Sequence, residues 1–390
     1  MPAPRPRPDS RAPSQSVTVP GAAVVPGTAA APRTTAATGG VAAPGGVAAP
    51  GSATVPLAVR AGAPAVVPPP AAVAGLEWRP LGAVDIGGLT DLVGRIEDAD
   101  DPPYRTSAEE IVEYFDSGHA WSAMGGWDAT GSLRAFGFVR VRHGDTSLLR
   151  AFCSGGVDPL WRHRGAGSAV LDWQVARGRQ MLVETGKEAP ARIVVHVDEG
   201  MDALTRLIEA RGFEPRRWYT EMRRDLSLPI PEVPLDRHLA VVPWSPDLDD
   251  AVRRAHNRAF GDHWGSQPHT PESWRQGRTH FAPGWSFVAL DRSSDRAQVA
   301  GYLMSGRYEQ DWPALGWTEG YTEIIGVLRE WRGRHVATAL MTEAMRAYRD
   351  SGMQYAGLDV DTDNLTGAVR LYAKLGYEVT RTSAMYTVEI

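Results

Sequence analysis

A chain of 390 residues with a formal net charge of −5 has room for two domains of ordinary size and lacks the basic balance of a general nucleic-acid binder. No apolar run reaches the ~18 residues of a membrane span, and the N-terminus carries no continuous apolar segment of the secretory kind. Cys153 is the only cysteine, so neither an internal disulfide nor a cysteine-based zinc site is open, and a reducing cytoplasm is the expected setting.

Residues 1–75 consist mainly of Ala, Pro, Gly, Val, Ser and Thr, with no aromatic residue, and this composition predicts a disordered tail. Order is expected from Leu76. A short strand over Leu76–Leu81 leads to a helix at 85–98, and Ser107 with Glu110 forms a capping-box pattern opening a second helix. Strands follow at 120–125, 133–142 and 148–157. After them come a loop and helix with Val170, Leu171 and Val175 on one side, a strand at 193–197, and a helix at 201–211 stopped by Gly212-Phe213. Pro229, Pro231 and Pro234 mark a linker over 229–238, and the order then restarts: strand 239–243, helices 248–261 and 271–280, strands 285–290, 298–307 and 319–327. A helix to Tyr348, a strand at 355–360, a helix near 365–375 and Gly376-Tyr377 complete the series.

One phrase occurs twice in these matching surroundings. Trp161-Arg162-His163-Arg164-Gly165-Ala166-Gly167 and Trp331-Arg332-Gly333-Arg334-His335-Val336-Ala337 each follow a strand-like run and open an amphipathic helix. Such a start presents unsatisfied N–H groups and the positive end of the helix dipole, which suit pyrophosphate. Gly137-Phe138 with Gly301-Tyr302, and Gly212-Phe213 with Gly376-Tyr377, read as further paired landmarks, so the chain carries an internal repeat.

With Asn364, Ala368, Leu371-Tyr372 and Gly376-Tyr377 following the second loop, the chain from about residue 76 resembles the GNAT acetyltransferase superfamily, in an arrangement similar to its tandem, mycothiol synthase-like members. The resemblance implies an α/β (α+β) fold: a tandem duplication, each copy a mixed, mostly antiparallel sheet flanked by helices, as domains 76–228 and 239–390. It implies acetyl transfer from acetyl-CoA to a primary amine of a small molecule or peptide, by direct attack in a ternary complex, with the second copy catalytic. Nucleic acid, membrane and metal are not expected partners, and the assembly is expected to be a monomer or homodimer. A catalytically silent acyl-CoA-binding or regulatory module is the competing reading.

The resemblance also distributes roles. Arg332, Gly333, Arg334, His335, Val336 and Ala337 would hold the pyrophosphate, as would Arg162, Arg164, Gly165, Ala166 and Gly167 in the first copy. The pantetheine arm would lie along Ile325, Gly326, Val327 and Leu328, with an N–H near Val327 facing the oxyanion. Tyr372 would protonate the departing thiolate, although a packed helix tyrosine is the plainer reading, and Asn364 either contacts the cofactor arm or caps its helix. Glu323, sharing a strand face with Glu319, is the first choice of base, and alternation keeps Ile325 and Val327 on that face unless a bulge intervenes. Asp262 and His263 are candidates for acceptor binding; His256 and His263 lack the companions of a metal site. Glu309, Asp311, Trp312 and Trp317, with Glu319 and Glu323, form an acidic and aromatic patch suited to a cationic amine. In the first copy Ile208 stands where the second has Tyr372, and isoleucine cannot donate a proton. His335 stands where the motif expects glycine; helical φ/ψ is open to histidine, so the turn can form if this residue lies in the first helical turn.

Overall fold

The computed structural model describes residues 55–116, 119–261, 268–362 and 368–390. The first half comprises α1 (Leu57–Arg60), β1 (Glu77–Pro80), α2 (Ile86–Asp100), α3 (Ala108–Asp116), β2 (Ala120–Trp127), β3 (Leu133–Val141), β4 (Leu149–Val157), α4 (Ala166–Glu184), β5 (Ala191–Asp198), α5 (Asp202–Glu209) and β6 (Glu214–Asp225). The second comprises β7 (Leu239–Pro243), α6 (Asp249–Ala259), α7 (Pro271–Arg275), β8 (Phe287–Asp291), β9 (Gln298–Gly306), α8 (Trp312–Leu315), β10 (Glu319–Val327), α9 (Val336–Asp350), β11 (Tyr355–Asp361), α10 (Ala368–Lys374) and β12 (Glu378–Glu389). The repeat is real at the level of elements, and no helix among the described residues is long and apolar enough to cross a membrane.

The strands form one 12-stranded sheet in the order β1-β2-β3-β4-β5-β12-β6-β11-β10-β9-β8-β7. The halves therefore exchange their last strands. β12 of the second half pairs with β5 of the first, β6 of the first pairs with β11 of the second, and β12 and β6 run antiparallel against each other. Side chains bind the exchange as well: Arg217 on β6 reaches Asp361 on β11 at 2.8 Å, and Arg224 on β6 donates to the carbonyl of Leu375 at the end of α10 at 2.6 Å. A sequence boundary at the proline linker divides the chain but not the sheet.

The two helix stops match. The N–H of Phe213 bonds the carbonyl of Ile208, and that of Tyr377 the carbonyl of Tyr372, across Gly212 and Gly376 at positive φ. Ile208 and Tyr372 are thus spatial counterparts. The glycine landmark earlier in the chain shifts by two residues: Val157 pairs with Ala135 and Val327 with Gly301, so Ala135, not Gly137, is the counterpart of Gly301. Gly137 lies under α4 and Gly301 under α9, where pattern alone cannot fix register.

The expected tail splits in two. Residues 1–54 lie outside the described residues, whereas residues 55–75 carry structure. Leu57 (1% exposed) and Ala61 enter the first half's core beside Leu182, Ile193 and Phe213. Arg60 donates to the carbonyls of Ala189 and Ile390, and Arg179 to that of Ala61. Composition missed this because one leucine and one arginine anchor an otherwise featureless segment. Leu57→Ala should lower stability by about 2–5 kcal/mol in urea unfolding, whereas Val59→Ala, at an exposed position, should leave it within about 0.5 kcal/mol.

Candidate functional site

The repeated loops share a backbone rather than a sequence. In the first, His163 and Gly165 have φ of 59° and 86°; in the second, Gly333 and His335 have φ of 76° and 60°. Both copies need two left-handed residues at the same places, and each fills one with histidine. His335 is the residue just before α9, not one of its first turn, and it takes the conformation that favours glycine. The first intrahelical bonds run from Ala169 to Gly165 and from Ala339 to His335, leaving the amides of Ala166–Ser168 and Val336–Thr338 without an acceptor in their own helices. Gly333, Arg334 and His335 are exposed around that helix start.

The loop arginines divide. Arg162 and Arg332 fold back, their Nε donating to the carbonyls of Val157 and Val327 at 3.2 and 3.1 Å. Arg162 is buried and grips both oxygens of Asp100 at 2.7 and 2.8 Å, so its charge ties the loop to α2 rather than standing over the amides. Arg332 also reaches the carbonyl of Ala259. Arg164, 5.1 Å from the Trp161 ring centroid, and Arg334, 3.9 Å from Asp236, are exposed, as is Arg332. Over the first loop Val73 lies 3.6 Å from where a Cβ on Gly165 would stand.

Ahead of each loop, two parallel strands part. β4 and β5 pair as far as Phe152 and Val194, β10 and β11 as far as Thr322 and Leu358. The second half adds a bulge: the register against β9 skips from Thr322 to Ile324, leaving Glu323 as the extra residue. Glu319, Tyr321 and Glu323 stay on the α6 face, while Ile325 and Val327 turn towards α9, where Val327 approaches Gly301 and Val336. The carboxylates thus share a face as expected, and the two aliphatic residues leave it. Leu328 donates to Ala300 on the β9 side, so alternation aims the amide of Val327 into the gap between β10 and β11. A side chain at Gly326 would strike the Tyr302 ring at 2.6 Å.

Glu323 accepts the Tyr308 hydroxyl at 2.5 Å, and Tyr321 packs edge-on to Tyr308. Glu319 accepts Trp317 Nε1 at 3.1 Å, and Arg223, from the first half, lies 3.9 Å from the Trp317 ring centroid. Asp311, from the expected acceptor patch, is instead buried and accepts the amide of Arg105 at 2.7 Å, which fastens the halves together. Glu309 is paired with Arg307. Tyr372 is 3% exposed and its ring lies 5.9 Å from that of Tyr377. Asp262, His263 and Asn364 lie outside the described residues. His256 is buried, its Nδ1 2.6 Å from the Tyr302 hydroxyl, and no metal-type cluster occurs among the described residues. Cys153 is buried under α4, and burial pushes its thiol up.

Sequence reasoning passed over Asp359. It lies on β11 just past the parting of the strands, paired in register with Glu221 of the first half's β6. Burial first, then Glu221, push its carboxyl up to about 8. The alternation Asp359-Val360-Asp361 in a predicted strand was a signal, but Glu221 arrives only through the exchange.

A family model described as the acetyltransferase (GNAT) family matches residues 250–377. The chain is 30% identical over 240 residues to a mycothiol acetyltransferase of Thermobifida fusca, covering 59% of this chain and 72% of that one. It is 30% identical over 234 residues to the mycothiol acetyltransferase of Thermobispora bispora, covering 59% and 73%. In fold it is similar to a GCN5-related N-acetyltransferase from Sphaerobacter thermophilus (TM-score 0.61, 24% identity, 80% and 95% covered). It is also similar to a tandem GNAT protein from the clavulanic acid biosynthesis pathway (TM-score 0.60, 18% identity, 80% and 98% covered).

Two outcomes follow from this geometry. His335→Gly relieves a left-handed residue and should stabilise the protein by up to about 1 kcal/mol, read as a shift in urea midpoint at unchanged slope. Because the folded-state pKa of Asp359 is raised, its effect on stability is nil below the unfolded value near ~4 and unfavourable as pH rises towards about 8. Asp359→Asn should therefore match the parent at pH 4 and exceed it in melting temperature at pH 8.

Proposed function

The chain belongs to the acetyltransferase (GNAT) family, and on that footing we propose that it transfers an acetyl group from acetyl-CoA to a primary amine by direct attack in the cleft of its second half. Membership makes it an acyltransferase with acetyl-CoA as donor; the acceptor and the choice of half are the present reading. The reading rests on one arrangement. The strands β10 and β11 part directly ahead of a helix start whose amides have no acceptor in their own helix, and the bulge at the parting puts Glu323 on the face of Glu319 and Tyr321, its carboxylate against Gly306 and Tyr308.

In this reading the amides of Val336–Thr338, with Arg334, hold the pyrophosphate of the donor. The acceptor amine enters on the α6 face, where Glu319, Glu323, Tyr308 and Trp317 gather. Glu323, directly or through water, first takes a proton from the ammonium and frees its lone pair, which attacks the thioester carbonyl; the second N–H proton leaves to solvent as the amide forms. The amide of Val327 stabilises the oxyanion. Collapse breaks the C–S bond, and Tyr372 gives its phenolic proton to the thiolate, later recovering one from solvent. Acidic and aromatic walls favour a cationic amine, and the name of the curated relatives makes mycothiol chemistry the first acceptor class to assay.

The competing reading, a silent acyl-CoA-binding module, suits the first half, where Ile208 replaces the acid and Val73 lies over Gly165. Release of CoA thiol with a panel of amines distinguishes the two. Tyr372→Phe should lower kcat about 100-fold with little change in KM for acetyl-CoA, and Glu323→Gln should lower it by a similar order. Parental turnover in both variants would remove the assigned roles.

A further inference from the structure

The two clefts place different residues at corresponding positions, with arginine in the first where the second has a carboxylate. Across the parting strands the first half sets Arg140, Phe152 and Val194 side by side; the second sets Gly306, Tyr321 and Gly357. One step to either side, Arg150 stands where the second half has Glu319, and His196 where it has Asp359. A cleft built on the same backbone for the same kind of acceptor would not need this inversion.

The first cleft's side chains converge on Phe152. The guanidinium carbons of Arg142 and Arg150 lie 5.0 and 5.6 Å from its ring centroid. The His196 ring is parallel to it within 2° at 6.4 Å, with Tyr219 at 6.1 Å on the other side of the imidazole. His196 Nδ1 is enclosed and has no hydrogen-bond partner among the described residues.

Negative charge at hand is already engaged: Asp198, two residues past His196 on the same face of β5, accepts the Tyr104 hydroxyl at 2.9 Å, and burial pushes its carboxyl up. Asp145 is buried with both oxygens on Arg150 at 3.0 and 2.9 Å, and Glu389 lies 3.2 Å from Arg192. Glu113 is the carboxylate whose charge reaches Arg140, and it accepts the Thr279 hydroxyl. Among the described residues neither Arg140 nor Arg142 makes an ion pair. Burial and the neighbouring arginines push Arg142 down to about 10, although its side chain still meets solvent. His119, His196 and His269 also face this region, and burial pushes each of them down, so the cleft's positive charge is carried by arginine alone. Like charges crowded in a concavity repel, and an oxyanion set between their forks removes that cost.

We propose that the first cleft binds a small organic oxyanion, its charge held by Arg140 and Arg142 and its body lying against Phe152 and His196. A neutral imidazole adds one N–H donor. The site is independent of acetyl transfer in the second half and would give the first half a ligand of its own.

Calorimetric titration of the full chain at low salt tests this, with benzoate and phenyl phosphate as anionic probes and benzamide as the neutral match. At least one anion should bind saturably and benzamide should not; benzoate alone assigns a carboxylate, phenyl phosphate alone a phosphate monoester. Arg142→Met should weaken binding at least ~10-fold, while Arg334→Met, on the second loop, should leave it within ~2-fold. In the parent, the bound anion should raise the His196 pKa followed by NMR. Absence of saturable binding, an Arg142→Met variant that binds like the parent, or a His196 titration indifferent to the anion would each overturn the assignment.

Discussion

Everything in this molecule depends on the antiparallel ladder between β6 and β12. Each of these strands leaves its own half and becomes an interior strand of a single sheet, so each half lacks a backbone partner that only the other supplies. The unpaired edges of β5 and β11 would otherwise be buried N–H and C=O groups without acceptors or donors. The ladder also positions side chains. Glu221 stands beside Asp359 and Arg217 beside Asp361 because β6 runs along β11, and Arg223 covers Trp317 for the same reason. A first half without an acid of its own must still fold for the second half's cleft to have a far wall.

Within that shared frame the two loops show which feature the fold demands. Both need left-handed residues at two places, and His163-Arg164-Gly165 and Gly333-Arg334-His335 meet the demand in opposite order. A non-glycine residue in that region costs on the order of 1 kcal/mol or more, and each copy tolerates one such residue. What is held constant is the direction of the helix-start amides, together with the arginine that folds back on the last strand carbonyl. The charges around the loops are free to differ, and they do: Arg162 is spent on Asp100, whereas Arg332 holds only carbonyls.

The local features were legible in the sequence because they are written locally. The helix stops at Gly212 and Gly376, the doubled loop phrase and the order of elements all follow from neighbouring residues. The strand exchange was not, because residues 214–225 and 378–389 are equally good partners for either half, and no local pattern says which edge each will join. Asp359 went unnoticed for that reason; its perturbing neighbour, Glu221, is over a hundred residues away in the chain. The docking of Leu57 was hidden by composition, since a segment poor in apolar residues was judged by its average while two side chains fasten it. The shift of the Gly137 landmark has another cause: glycines allow close helix approach at any of several rows, so matching glycines does not establish matching register.

The bulge at Glu323 settles how far the duplicated clefts have diverged. Counting from the loop arginines, the residue in line with Glu323 is Cys153, and without an extra residue in β4 that position points under α4 into the core. The first half therefore could not set a carboxylate in the mouth of its gap by substitution at Cys153 alone. It would need the inserted residue, and with it the reversal of every side chain on one flank of the strand. Ile208 could revert to tyrosine by simple replacement; the missing bulge could not be repaired so easily. The absence of a carboxylate there is thus a property of backbone register, and the arginines and histidine that occupy the same face belong to a cleft already committed to the opposite charge.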